Sequence, residues 1–153
     1  MNPNPFAHIT IASIPQSKDP KTSLSKRSLA NLHTQPSATS PRGLRDLALL
    51  HLLANGITVR QLHHINLQDV DEKQGAVVVK GRNGNLRAFI LEPATQSYLS
   101  RWLVVRRLFS NNTEAVFISL HWTSGRATPG QRISERGIRL VVTKYLHSKK
   151  EIL

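Results

Sequence analysis

Apolar residues recur at helical spacing in the middle of the chain. The leucines within residues 44–53 form one wide face, and the run ends at Asn55-Gly56, a pair typical of a helix end. We therefore predict a largely buried helix over residues 44–54. A second helix is predicted to begin at Thr58, because Thr58-Val59-Arg60-Gln61 has the spacing of a capping box, in which the two outer side chains satisfy free backbone N–H groups.

Two strand-like runs follow, at residues 75–80 and 87–91. They flank Asn83-Gly84, the strongest short-range signal for a β-hairpin. Residues 115–119 are a candidate third short strand. The pattern predicts an α+β fold that is mainly α, with helices around a small antiparallel hairpin or three-stranded sheet.

Two further helices are predicted in the second half of the chain. One opens at Glu92-Pro93, since proline is favoured in a first turn, and its apolar stripe is Tyr98, Trp102, Val105 and Phe109. The other runs from about Ser134 to His147, and its apolar face is Ile138, Val141, Val142, Tyr145 and Leu146. Arg132, Arg136 and Arg139 are predicted to lie on the opposite side.

The first 41 residues differ from the rest, because six prolines stand among Ser, Thr, Lys and Asn. This composition favours an extended linker. One short helix is predicted within it, beginning at Lys26, with Ser25 as its cap and Leu24 and Leu29 forming a hydrophobic staple. We predict two parts: a Pro/Ser-rich linker at 1–41 and one domain at 42–153.

The net charge of the chain indicates which class of partner it binds. The chain has 153 residues, with 21 Lys and Arg against 9 Asp and Glu, for a formal charge of +12. Such an excess favours a polyanionic partner, because each cation set against a phosphate releases counterions. A solvated basic surface, or a ribosome-associated protein, is the alternative that charge alone leaves open.

Several classes of site are not expected. The chain has no cysteine, which excludes disulfides, cysteine-based zinc sites and cysteine nucleophiles. Its histidines are scattered, and the adjacent His63 and His64 lack the helical i, i+4 spacing of a metal pair. Gly125–Gly130 is not followed by the Lys-Ser/Thr of a phosphate-binding loop. We expect no metal and no cofactor. Without a signal peptide or an apolar run of roughly 18 residues, we expect an intracellular protein with no membrane partner.

Several phrases, in this order, resemble the tyrosine recombinase (phage integrase) family, over the N-terminal two-thirds of its catalytic domain. Asn4-Pro-Phe-Ala-His-Ile9 resembles the connector that leads into that domain, and Arg45-Asp-Leu-Ala-Leu-Leu-His-Leu-Leu-Ala-Asn-Gly56 is similar to an early helix of the family. Lys80-Gly81 with Arg87-Ala-Phe-Ile-Leu91 resembles its β-hairpin phrase. Ile133-Ser-Glu-Arg-Gly-Ile138 resembles the start of a DNA-facing helix.

The resemblance implies a domain that closes around double-stranded DNA, with other recombinase subunits as further partners. In the family a tyrosine hydroxyl attacks the scissile phosphate without a metal. Cations stabilise the charge on the transition state, and the hairpin lysine protonates the leaving oxygen.

The chain departs from this pattern at two sites. Thr58 stands where the family has its first arginine, and Arg60, two residues on, points nearly the other way around a helix. In the family, the hairpin lysine precedes the following arginine by a usual number of residues. Counted back from Arg87, that spacing reaches Arg82, and arginine is a poor proton donor. Lys80 fits if the turn is two residues longer, and would then share a sheet face with Arg82. Lys80 and Arg82 are the catalytic candidates, although no catalytic set is intact.

The sequence stops at Leu153, before the family's His-x-x-Arg motif and nucleophilic tyrosine. Tyr98 and Tyr145 both fall on apolar faces and are interpreted as core residues. We therefore predict a DNA-binding, recombinase-like protein that does not cleave DNA by itself. A non-catalytic nucleic-acid-binding regulator or structural protein is the alternative. The expected DNA contacts are Arg60, Lys80, Arg82, Arg87, Arg132, Arg136 and Arg139.

Overall fold

A computed structural model describes residues 10–12, 28–29, 35–109, 112–120 and 130–146. The main α-helices in these ranges are α1 (Pro41–Ala54), α2 (Val59–His64), α3 (Pro93–Arg106) and α4 (Glu135–Leu146). The strands are β1 (Thr10–Ala12), β2 (Val70–Asp71), β3 (Ala76–Lys80) and β4 (Leu86–Ile90). This confirms the predicted α+β fold, with helices around a small sheet.

Helix α1 ends at Ala54 as its sequence predicts, but it begins at Pro41, three residues before the predicted start at residue 44. The Ser40 side chain accepts a hydrogen bond from the Gly43 N–H at 3.0 Å, and Gly56 follows the helix with a φ of 101°, which glycine adopts without strain. Almost the whole helix is buried. Gly43 has no room for a side chain, since an added Cβ would lie 1.8 Å from the Ser37 carbonyl oxygen.

The predicted capping box opens α2. The Gln61 N–H donates to the Thr58 hydroxyl at 3.2 Å, and the Thr58 N–H donates to the Gln61 side-chain oxygen at 3.0 Å. Each bond satisfies a backbone group that the first turn leaves free.

The sheet has the strand order β1-β4-β3-β2. β2, β3 and β4 are antiparallel, whereas β1 pairs in parallel with β4, Thr10 lying opposite Arg87. The third antiparallel strand is therefore Val70–Asp71. The prediction of a strand at 115–119 was wrong: this segment makes only the isolated bridges Asn66–Ala115 and Ile118–Arg132, because its partners lie in loops and not in the sheet.

The hairpin forms where Asn83-Gly84 predicts it, with a longer loop. Lys80 pairs with Leu86, the Gly81 N–H donates to the Asn85 carbonyl at 2.8 Å, and Gly84 has a φ of 76°. This is a turn followed by a left-handed residue, a common three-residue hairpin connection. Arg82 lies in that loop. It therefore has no sheet face to share with Lys80, and that part of the prediction was wrong.

Helix α3 starts at Pro93 as predicted, but its buried face is rotated from the predicted stripe. Thr95, Leu99, Trp102 and Arg106 are buried, while Phe109 is exposed. The two polar members are satisfied: the Asn55 side chain donates to the Thr95 hydroxyl at 2.8 Å, and Arg106 donates to the Ala115 and Thr113 carbonyls, each at 2.7 Å. An apolar pattern alone does not reveal such residues.

The core lies between α1, α3 and one face of the sheet. Val77, Val79 and Phe89 supply the sheet side. Residues 115–118 and the apolar face of α4 complete it. Helix α1 makes its most extensive helix contact with α3, and α2 packs on α4.

The described residues cover only part of the segment for which the N-terminal predictions were made. Ser28 and Leu29 are helical, and Leu29 packs against the core. Ser25, Lys26 and the 4–9 connector lie outside the described residues, and the 41/42 boundary stays a prediction. In the part of the chain that the structure describes, no helix is long and apolar enough to cross a membrane.

Candidate nucleic-acid interface

The basic side chains of the hairpin cluster around its loop. Lys80 ends β3 and Arg82 lies in the loop, while Arg87 lies on β4 opposite Val79; all three are exposed. The Lys80 side chain passes beside the loop, since a Cβ on Gly84 would lie 3.7 Å from Cε of Lys80, an ordinary van der Waals contact. Strand alternation sends Lys80 and Arg87 to opposite faces, so this end of the hairpin carries cations on both sides.

Helix α2 presents a second basic position. Thr58 is committed to the cap of the helix, as described above, and is neutral. Arg60 is exposed on the first turn. The structure therefore leaves no cation at residue 58 itself, and Arg60 projects from a different side of the helix.

Helix α4 carries the exposed residues Arg136 and Arg139. The guanidinium of Arg139 lies 3.8 Å from the carboxylate of Glu135, one turn earlier. Arg139 is exposed and Glu135 is only half-buried, so the pair contributes little to stability. Arg139 therefore keeps most of its freedom to approach an anion.

Arg132 lies before α4, in a bridge with Ile118. Its guanidinium donates to the His63 carbonyl at 2.6 Å and to the Ile65 carbonyl at 3.3 Å. It also donates to the Asn66 side-chain oxygen. These bonds use carbonyl groups at the C-terminal end of α2. The structure thus separates Arg132 from the arginines of α4 and joins it to the protein backbone.

The surroundings of His64 show the positive field where α2 approaches α4. The pKa of His64 is lowered, first by partial burial and then by the charges of His63, Arg60 and Arg132; Glu135 acts in the opposite direction. Three basic neighbours around one imidazole indicate a surface that disfavours added positive charge and attracts anions. Among the described residues, no ion pair joins this group to the hairpin cations.

Both tyrosines are engaged by the protein. Tyr145 is 4% exposed and donates a hydrogen bond from its hydroxyl to Asp46 at 2.6 Å. Burial and that carboxylate raise the pKa of the Tyr145 hydroxyl far above its ordinary value. The ring of Tyr98 packs against His51, with 4.8 Å between ring centroids.

A buried ion pair, to which the sequence analysis assigns no role, ties α1 to the second half of the chain. Arg45 and Asp46 lie 2.8 Å apart, and Arg45 also donates to the Ile118 carbonyl at 3.2 Å. Asp46 receives the Tyr145 hydroxyl. In the sequence, this ion pair is visible only as two adjacent charged residues inside an apolar helix. Pairing and hydrogen bonding offset the cost of burying those charges.

A metal site finds no support here: among the described residues, no three His, Asp or Glu side chains are grouped to hold an ion. The His63 ring instead forms a hydrogen bond of 2.8 Å with the Ile133 carbonyl.

Comparison with known proteins gives consistent matches. The model of the phage integrase family matches residues 23–151. The tyrosine recombinase XerC of Oceanobacillus iheyensis is 30% identical over 152 residues, which cover 92% of this chain and 45% of the relative. XerC of Thermodesulfovibrio yellowstonii is 32% identical over 108 residues, 66% of this chain and 33% of that protein.

Among solved structures, the XerA recombinase is similar with a TM-score of 0.61 at 18% identity, over 80% of this chain and 41% of that chain. At this identity the likeness concerns the fold. The chain spans less than half the length of each of these relatives.

Proposed function

The chain belongs to the phage integrase family of tyrosine recombinases, and from this we propose that it binds double-stranded DNA during site-specific recombination. The observation that carries the proposal is the exposure of basic side chains on the hairpin, α2 and α4, in a chain of net charge +12. Cations at such positions gain affinity for DNA by releasing counterions from its phosphates.

We assign the phosphate contacts to two groups. The hairpin group is Lys80, Arg82 and Arg87, and the helical group is Arg60, Arg136 and Arg139. Arg132 positions the helical group and does not itself contact phosphate, because its guanidinium is hydrogen-bonded to the end of α2. Phosphate contacts position a protein on DNA without reading its sequence, so these residues account for affinity and leave the recognised site open.

Residues 1–153 are proposed to hold DNA without cutting it. In the family's reaction a cation is needed at the position of Thr58, which is a neutral helix cap here. Arg82, in the hairpin, keeps its proton at neutral pH and is a poor acid, which leaves Lys80 as the proton donor of the hairpin. Tyr145 is unsuited to attack because its hydroxyl is buried and directed at Asp46.

The same observations favour a second function within nucleic-acid binding, a non-catalytic regulator. In either function we propose an intracellular protein, and in the first function we propose that other recombinase subunits supply the chemistry. The two functions differ in whether a catalytic partner is required. The test adds active recombinase to the chain on a DNA site that both bind. Altered strand exchange by the recombinase supports the first function, and occupancy of the site without such a change supports the regulator.

Fluorescence anisotropy tests the DNA-binding proposal directly. A labelled duplex of about 30 base pairs is titrated at about 50 and 200 mM salt, where several phosphate contacts cost about a thousandfold or more in affinity. Affinity that weakens by orders of magnitude supports the proposal. No binding at the lower salt overturns it, because the charge is then only a solvated surface.

A further inference from the structure

A cavity of about 320 Å³ lies between the turn that joins β2 to β3 and the first turns of α3. Its volume is at the lower end of the range for ligand pockets, roughly 300–1,000 Å³. Apolar groups of Val70, Ala76, Leu91 and Leu99 form part of its wall, and polar groups come from Asp71, Glu72, Ser97 and Ser100.

One wall of this cavity is fixed before any ligand arrives. Gly75, with a φ of 63°, packs so closely on Gln96 that a Cβ would lie 2.3 Å from the Gln96 amide. That amide in turn donates to the Leu91 carbonyl at 2.7 Å. A wall held by packing and a hydrogen bond loses little entropy when something binds against it.

The chemistry of the cavity suits a cation on an apolar stem. Asp71 accepts the Gln74 N–H on one carboxylate oxygen at 3.1 Å, which leaves its second oxygen available. Glu72 is exposed and forms no ion pair with the described residues. Arginine and lysine bury their methylene stems against apolar walls and keep the charged head at a polar mouth.

The location separates this cavity from the DNA-facing end of the hairpin. It lies beside Ala76, the first residue of β3, and Lys80 is the last. At about 3.3 Å per residue, the two are roughly 13 Å apart along the strand. In a chain of net charge +12, two carboxylates therefore stand at the opposite end of the strand from the basic loop.

We propose that this cavity receives an arginine or lysine side chain from a peptide segment of another protein. Charge complementarity favours a basic segment. A second copy is a poor occupant, because two copies that each carry this net charge repel one another. The inference does not depend on DNA binding.

NMR of the ¹⁵N-labelled chain tests the proposal. The probe is the tripeptide acetyl-Leu-Arg-Leu-amide, titrated to millimolar concentration, and its control carries uncharged citrulline for arginine. We expect the arginine peptide to shift backbone amides of residues 70–76 and 91–100, excluding Pro93, and the citrulline peptide to bind at least several-fold more weakly.

Three variants with the same change of charge complete the test. Glu72→Gln should weaken the arginine peptide by about fivefold, the upper value for one exposed ion pair. Glu114→Gln, at an exposed site away from the cavity, should leave the affinity unchanged. Asp71→Asn keeps the oxygen that accepts the Gln74 N–H, so its effect reports charge and not turn stability.

Three results would overturn the proposal. Shifts confined to other regions would place the peptide elsewhere. Equal binding of the citrulline peptide would mean that the cavity takes apolar groups without a cation. Concentration-dependent dimerisation that Glu72→Gln abolishes and Glu114→Gln preserves would make a second copy the occupant.

Discussion

The Tyr145 hydroxyl and the Asp46 carboxylate meet at 2.6 Å in the core, although the two residues are 99 positions apart in the sequence. This contact joins the last described helix to α1. Through Asp46 it continues to Arg45, which also donates to the Ile118 carbonyl. The Tyr145 hydroxyl thus has a structural partner and is not free to act as a nucleophile.

Removing that hydroxyl should destabilise the fold. Tyr145→Phe leaves a buried carboxylate short of one donor, and we expect it to lower the free energy of unfolding by about 2 kcal/mol. Urea denaturation measures the difference. Tyr98→Phe is the matched control and should change stability by less than about 0.5 kcal/mol; equal losses for the two variants would contradict a special role for Tyr145.

The same pair predicts a pH dependence. Burial and Asp46 raise the pKa of Tyr145 above its unfolded value, which is about 10. Its contribution is therefore fully present below about pH 10 and is lost as the pH rises toward the folded pKa. The stability gap between the protein and Tyr145→Phe should narrow at alkaline pH, as measured by urea denaturation in a pH series. A gap that widens would contradict this sign.

Arg132 should act as a positioning residue for α4. Both Arg132→Lys and Arg132→Gln lose the forked contact with the end of α2, so each should lower stability by about 2 kcal/mol. Neither should change the salt dependence of DNA binding. Arg136→Gln is the control, with unchanged stability and a slope smaller by about one. Should Arg132→Lys retain full stability while Arg132→Gln reduces the slope, Arg132 contacts phosphate directly.

The hairpin loop should provide measurable phosphate contacts. Lys80→Gln and Arg82→Gln are each expected to reduce the slope of log affinity against log salt by about one, with similar losses on unrelated sequences. Anisotropy titrations over a salt series give the slopes. Lys73→Gln, an exposed lysine in the turn at the other end of β3, should leave the slope as it is. Identical slopes for all three variants would remove the hairpin from the interface.

Placing the family's arginine at residue 58 should have two opposing effects, because it removes the helix cap and adds a positive charge. Thr58→Arg removes the side-chain acceptor for the Gln61 N–H and should cost about 1 kcal/mol, while Thr58→Ser should cost little. The added cation should strengthen DNA binding, yet no covalent protein–DNA adduct should form on a nicked substrate in denaturing gels. An adduct would show that one of the two tyrosines is free to react.

The sequence could predict the elements whose signals are local. Thr58, Pro93 and Gly84 act within a few residues of themselves, so the starts of α2 and α3 and the hairpin were confirmed. The buried face of α3 was misassigned because Thr95 and Arg106 are satisfied by Asn55 and by the carbonyls of residues 113 and 115. Those partners are brought close only by the tertiary fold.

The candidate site divides in the same way. The types and positions of the basic residues are evident in the sequence, and the structure leaves most of them exposed. The role of Arg132 is not evident, because its acceptors are on residues 63–66, far away in the chain. Its place in a stripe with Arg136 follows from helical spacing, and the helix begins only at Glu135.

The parallel pairing of β1 with β4 has a consequence for the order of events during synthesis. Thr10–Ala12 leaves the ribosome well before Arg87, its partner, has been translated. β1 has no partner strand until α1, α2 and the hairpin have been synthesised. Strands that are far apart in the sequence also pair slowly. The outer edge of β4 is therefore closed late, by a segment that was made much earlier than β4 itself.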